Sequence, residues 1–186
     1  CNWTNSASRW WSFGYFLVKK GQELNTIKPN NSVEEQLARL KIVLPEVPLP
    51  VGNFDLGARH NGLIFLSGQG PLLEDGTLAK GTVGKDVTVE EAYYHARRTG
   101  LVLIAAMKKI LGDLGRVERI IKILGMVNAE RNFCDHPKVI NGCSDLFCEV
   151  FDNAGRHARS AVGVGSLPGG ITVEIEAIIA CTDQKD

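Results

Sequence analysis

Apolar residues recur at helical spacing in three stretches of the chain. Val89, Ala92, Ala96, Leu103, Met107 and Ile110 share one face, and Thr88 with Glu91 forms a capping box before them. This pattern predicts a long helix over 88–111, stopped by Gly112. A second helix is predicted after Asp135, which can cap it, with Pro137 tolerated in its first turn. Its buried side would carry Val139, Ile140, Cys143, Leu146, Phe147 and Val150. A shorter helix over 32–43 begins at the Ser32/Glu35 capping box, with Leu37, Leu40 and Val43 as its stripe. Pro45, Pro48 and Pro50 then enforce an extended connector, which places the start of the compact domain near Leu44, with residues 1–43 as an extension.

The remaining apolar runs are short and β-branched. Stretches 54–60 and 63–69 read as two strands joined by Asn61-Gly62, a strong hairpin signal. A short strand is expected near 81–83. Residues 117–127 read as a central strand, with Gly125 marking a bend. Stretches 159–166 and 171–180 read as a closing hairpin around Leu167-Pro168-Gly169-Gly170. The order of elements predicts an α+β domain with two helices packed on one face of a single sheet.

That closing hairpin, taken without a bulge, sets Val162 and Val164 opposite Ile175 and Val173 on a core face. It sets Arg159, Ala161 and Gly163 opposite Ile178, Glu176 and Glu174 on the other. Small residues beside a guanidinium leave a hollow. Arginine remains charged at any working pH, and its planar fork matches a carboxylate, so Arg159 is a candidate clamp for a small carboxylate. The competing assignment is a structural ion pair between Arg159 and Glu176. A sheet with one uncovered, partly apolar face also invites oligomerisation.

Composition narrows the function classes. The 186 residues carry 21 basic and 21 acidic side chains, so no basic excess is available to grip nucleic acid or an anionic membrane. No apolar run approaches the ~20 residues of a membrane span, and a soluble protein is expected. The five cysteines and four histidines show no metal-ligand spacing, and the cysteines read as reduced thiols. His157, close to Arg159, reads as structural. The first sixteen residues hold all three tryptophans, and Arg9, Lys19 and Lys20 are the only charges before Glu23. An organelle-targeting extension reads this way, as does an arm packing on a neighbouring chain, so the expected location is cytoplasmic or mitochondrial.

Ser67-Gly68-Gln69, Gly112-Asp113-Leu114, Arg159-Ser160 and Val173-Glu174-Ile175-Glu176-Ala177 together resemble the YjgF/RidA family of reactive-intermediate deaminases. Ile140-Asn141-Gly142 and the run from Gly155 to Val164 resemble a branch close to RidA proper. The resemblance implies a chorismate-mutase-like fold, a homotrimer with clefts between subunits, and hydrolysis of enamines and imines such as 2-aminoacrylate to 2-oxo acids and ammonia, without metal or cofactor. It implies that Arg159 holds the substrate carboxylate, that Glu174 and the Ala161 carbonyl orient the attacking water, and that Ser67 and Asn141 line the cleft. Phe54 stands where the family has a tyrosine, Ala161 where it has a cysteine and Gly163 where it has a glutamate, which enlarges or neutralises the site. A regulatory trimer that binds 2-oxo acids without turnover is the alternative; ribonuclease activity fits the neutral charge less well.

Overall fold

A strand flanked on both sides must be able to bury one face and pair along both edges, as the two longest strands of this chain do. In the computed structural model, which describes residues 32–182, these are β3 (Val117–Asn128) and β5 (Val173–Cys181). They lie inside a five-stranded mixed sheet of order β1-β2-β5-β3-β4, with β1 (Gly57–His60), β2 (Leu63–Gln69) and β4 (Ala158–Val164) completing it. Strand β5 is the middle one, and β3 lies beside it. Helices α2 (Val89–Leu111) and α3 (His136–Phe151) cover one face. Their apolar sides join Ile120, Ile123, Val127, Val173, Ile175 and Ile179 in one core. The architecture is thus α+β, as the periodicity predicts.

Local signals hold where the chemistry is local. Thr88 and Glu91 form both halves of the capping box, and Gly112 ends α2 at φ 79°. Asn61 and Gly62 have φ of 48° and 72°, the two positive values a type I′ turn demands, and β1 pairs antiparallel with β2 across them. Helix α1 (Val33–Arg39) carries the Ser32/Glu35 box. It stops short of residue 43, however, and Val43 is 86% exposed instead of joining a stripe. Helix α1 is also no appendage. Leu37 is part of the core, and Gln36 Nε2 donates to the Glu149 carbonyl at 2.7 Å. Helix α1, which falls within the expected extension, thus packs against the core. The aromatic segment 1–31, acid-free only as far as Glu23, lies outside the described residues.

Other expectations need correction. The first strand begins at Gly57, because residues 51–54 bend away from the sheet and leave Phe54 51% exposed. Val83 makes isolated bridges to Val87 and Ala129, and no strand forms at 81–83. Asp135 occupies the N-cap position of α3 without a capping bond; its carboxylate pairs with Lys138 at 3.0 Å. Gly125 marks no bend, since a Cβ there would come within 2.6 Å of Ile140, and bare backbone is what lets α3 settle on the sheet.

The closing hairpin does not exist. Strand β4 runs parallel to β3 at the edge of the sheet, and β5 runs antiparallel to β3 on its other side. Residues 165–172 cross the end of β3 and are tied down by Gly81 N to Gly170 O and Thr172 N to Ala79 O, at 3.0 and 3.1 Å. The sheet faces change accordingly. Arg159, Ala161 and Gly163 pair with Ile123, Gly125 and Val127 and so belong to the helix-covered face. Ser160 and Val162 lie level with Leu124 and Met126, as do Glu176 and Glu174, so these four share the open face.

Candidate ligand site at the edge strand

Arg159 is the pivot, and α3 holds it. Its Nη1 donates to Asn141 Oδ1 at 2.8 Å and to Ser144 Oγ at 3.0 Å, residues one helical turn apart on the side of α3 that overlies β4. Among the described residues no carboxylate pairs with Arg159, so the structural ion pair with Glu176 is excluded by the topology. Both protons of Nη1 are used, whereas Nε–H and Nη2 make no hydrogen bond to the described residues. That leaves the Nε–Nη2 edge, the pair of parallel donors that a carboxylate accepts bidentately.

Ser144 is linked onward to His157. The His157 Nδ1 lies 2.6 Å from the Gly155 carbonyl, which can only accept, so Nδ1 carries the proton. Its Nε2 is then the acceptor for the Ser144 hydroxyl at 3.0 Å. Burial holds His157 below the usual histidine range and Arg159 pushes it further down, against the opposing pull of the Gly155 carbonyl. Buried Cys143, on the same helix, is pushed well up by desolvation, so a neutral thiol lies near the guanidinium.

Along β4 the floor of the site is Ala161, packed against the core, followed by Gly163. A side chain at Gly163 would overlap His136 Nε2. The missing side chain therefore does not enlarge the site: an imidazole from the start of α3 fills the space, edge-on to Phe133 at 5.0 Å. Burial lowers the His136 pKa.

The other expected site residues gather elsewhere. Glu174 on β5 reaches over Gly68, where the bulge between Leu66 and Gln69 opens β2, and a Cβ at Gly68 would overlap its carboxylate. Burial, with Glu176 adding to it, raises the Glu174 pKa. Ser67 next door donates to the Asp55 carbonyl at 2.6 Å, and Phe54 precedes that residue. In one chain, then, Arg159, Asn141, Ala161 and Gly163 come together on the helix side of β4, while Phe54, Ser67 and Glu174 cluster around β2 and β5. The expected hollow beside Arg159 is instead on the open face, lined by Phe65, Lys122, Leu124, Ser160, Glu176 and Ile178. Ser144 and His136 escaped the sequence reading, although the three-residue spacing from Asn141 to Ser144 is a readable sign of a shared helix face. Among the described residues no group of three or more His, Cys, Asp or Glu converges to hold a metal ion.

Comparisons with known proteins agree with this architecture. The chain is 37% identical to Protein TCP17 of Trypanosoma cruzi over 83% of its own length and 97% of the relative's. It is 26% identical to a 2-iminobutanoate/2-iminopropanoate deaminase of Dermatophagoides farinae, covering 74% and 93%. A crystal structure of a "putative endoribonuclease" from Shewanella oneidensis superposes with a TM-score of 0.78 at 32% identity, over 81% of this chain and 99% of that one. Residues 34–170 match the family described as "YjgF/chorismate_mutase-like, putative endoribonuclease", and the chain belongs to that family.

Proposed function

We propose that the protein hydrolyses small carboxylate-bearing enamines and imines to 2-oxo acids and ammonia, at clefts between the subunits of a homotrimer. The observation that carries this reading is the state of Arg159: anchored through one nitrogen to two neutral acceptors, unpaired with any described carboxylate, and offering its Nε–Nη2 edge. A guanidinium held this way binds a substrate carboxylate without first giving up an ion pair. Glu174 and the Ala161 carbonyl are the groups assigned to orient water at the imine carbon. The Glu174 pKa, raised by burial and then by Glu176, suits a carboxyl that exchanges a proton with that water. Water adds to the C=N carbon, the nitrogen gains a proton, and the carbinolamine collapses to a ketone and ammonia.

Glu174 and Arg159 lie on opposite faces of one sheet. A complete site therefore takes Arg159, Asn141 and Ala161 from one chain and Glu174, Ser67 and Phe54 from another. The half-apolar open face, where Phe65 and Val162 are 44% and 42% exposed, supports packing against further copies. The same placement favours a second reading, a trimer that binds 2-oxo acids on Arg159 without turnover, should Glu174 never meet the ligand. Zero net charge weighs against an RNA substrate.

The test is ammonia release from freshly generated 2-iminobutanoate. Arg159→Ala is expected to abolish it while the oligomer persists in sedimentation; undiminished release in that variant refutes the role of Arg159. Calorimetric binding of 2-oxobutyrate with no ammonia release by the wild type supports the second reading.

A further inference from the structure

We infer that Ser144 and His157 are positioning residues that lock the Arg159 guanidinium, and that the lock holds only while His157 is neutral. The inference rests on the carboxylate-clamp role proposed for Arg159 and adds the device that aims it. Every proton in the relay is assigned by its partners. The Gly155 carbonyl can only accept, so His157 carries its proton on Nδ1 and offers a lone pair at Nε2. The Ser144 hydroxyl has one proton, and it points at that lone pair. The Ser144 oxygen is thereby turned to accept from Arg159 Nη1, whose second proton goes to Asn141. Two acceptors on consecutive turns of α3 stop the guanidinium from rotating about its Cζ–Nε bond, and the Nε–Nη2 edge stays directed outward.

Protonation of His157 reverses one bond. With Nε2 carrying a proton, the two lone pairs of the Ser144 oxygen are shared between two donors, its own hydrogen must leave the imidazole, and an imidazolium sits one oxygen atom away from a guanidinium. Their mutual repulsion weakens the hold on Arg159. Among the described residues the groups facing His157 are Ser144 and the Phe147 ring from α3, the Gly155 carbonyl from the preceding turn, and Arg159 from its own strand. Arg159 is the charged one among them, and Cys143, the titratable neighbour on the Arg159 side, stays a neutral thiol. No carboxylate among these groups rescues the imidazolium. Acid therefore loosens the clamp as His157 gains its proton below the ordinary histidine value, and the chain needs no other titrating group for that response.

The experiment uses the full-length protein with ¹⁵N-labelled histidine and arginine. In the wild type His157 is expected as the Nδ1–H tautomer at pH 7.5, with slow rotation of the Arg159 Nη groups. As pH falls below 6.5 the imidazole should titrate and Arg159 rotation should accelerate with the same midpoint. Ser144→Ala should free the rotation at every pH and raise KM about ten-fold with kcat within about two-fold, the size expected for one lost bond to a charged group. His157→Gln keeps an acceptor that does not titrate, so it should preserve the lock and abolish the acid response. Arg159 rotation unchanged in Ser144→Ala, or an acid response that survives in His157→Gln, overturns the inference. If the lock behaves as described but neither imine turnover nor 2-oxobutyrate binding responds to Ser144→Ala, the positioning stands and the clamp role of Arg159 falls.

Discussion

Gly68, Gly142 and Gly163 lack side chains for one physical reason: another group occupies the space a Cβ would need. At Gly142 it is the Tyr93 carbonyl and the Arg97 amide of α2, which brings the backbones of α2 and α3 into contact and fixes the height of α3 above β4. At Gly163 it is the His136 imidazole, and at Gly68 the Glu174 carboxylate. Gly68→Ala should therefore push the Glu174 carboxylate aside while the fold survives, because the obstructed atoms end a flexible side chain. Ammonia release should fall about a hundred-fold, the low end for losing a general acid–base group, with unchanged 2-oxobutyrate binding; a variant that turns over like the wild type would detach Glu174 from the chemistry. Ser144 shows what a list of candidate residues overlooks. Its importance comes from standing between Asn141 and His157 in space, and motif spacing alone carried only the first half of that.

At the scale of elements, capping and turn signals were legible because each involves neighbours in sequence. Thr88 and Glu91 satisfy each other across one turn whatever the rest of the chain does. Thr88→Ala should cost about 1 kcal/mol of unfolding free energy in chemical denaturation; a variant as stable as the wild type would make the box ornamental to α2. Strand pairing was not legible in the same way. Period-two alternation in β4 and β5 is equally consistent with a hairpin and with two strands flanking a third, and the 167–170 loop resembles a turn. What decides is β3, an apolar strand long enough to need neighbours on both edges, reached by β4 through a parallel crossover over α3. That choice moved Arg159 and Ala161 to the helix side and left Glu174 and Glu176 on the open side. The identities of the candidate residues survive in the proposal, while their grouping into one face did not, since a one-residue change of register exchanges the faces.

For the whole molecule, charge and burial set the response to acid. Burial lowers the pKa of His95, His136 and His157 in the folded chain. Between those lowered values and the unfolded value near 6.5 the unfolded chain binds more protons, so stability must fall as pH drops through that window. Glu174, raised by burial and by Glu176, acts in the opposite sense, since the folded chain accepts its proton first. It is one group against three. The melting temperature at fixed protein concentration should thus decline from pH 7 to pH 5.5, and a flat or rising profile would contradict the burial of these imidazoles.

The central claim is that one chain supplies Arg159 and another Glu174 to each working site, and mixed oligomers test it most directly. Arg159→Ala and Glu174→Gln chains, each expected to be inactive alone, are unfolded together and refolded as mixed oligomers. If sites are shared around a ring, random assembly should restore about a quarter of the wild-type ammonia release, because some interfaces then join an intact Arg159 to an intact Glu174. Mixtures as inactive as their parents would contradict the account.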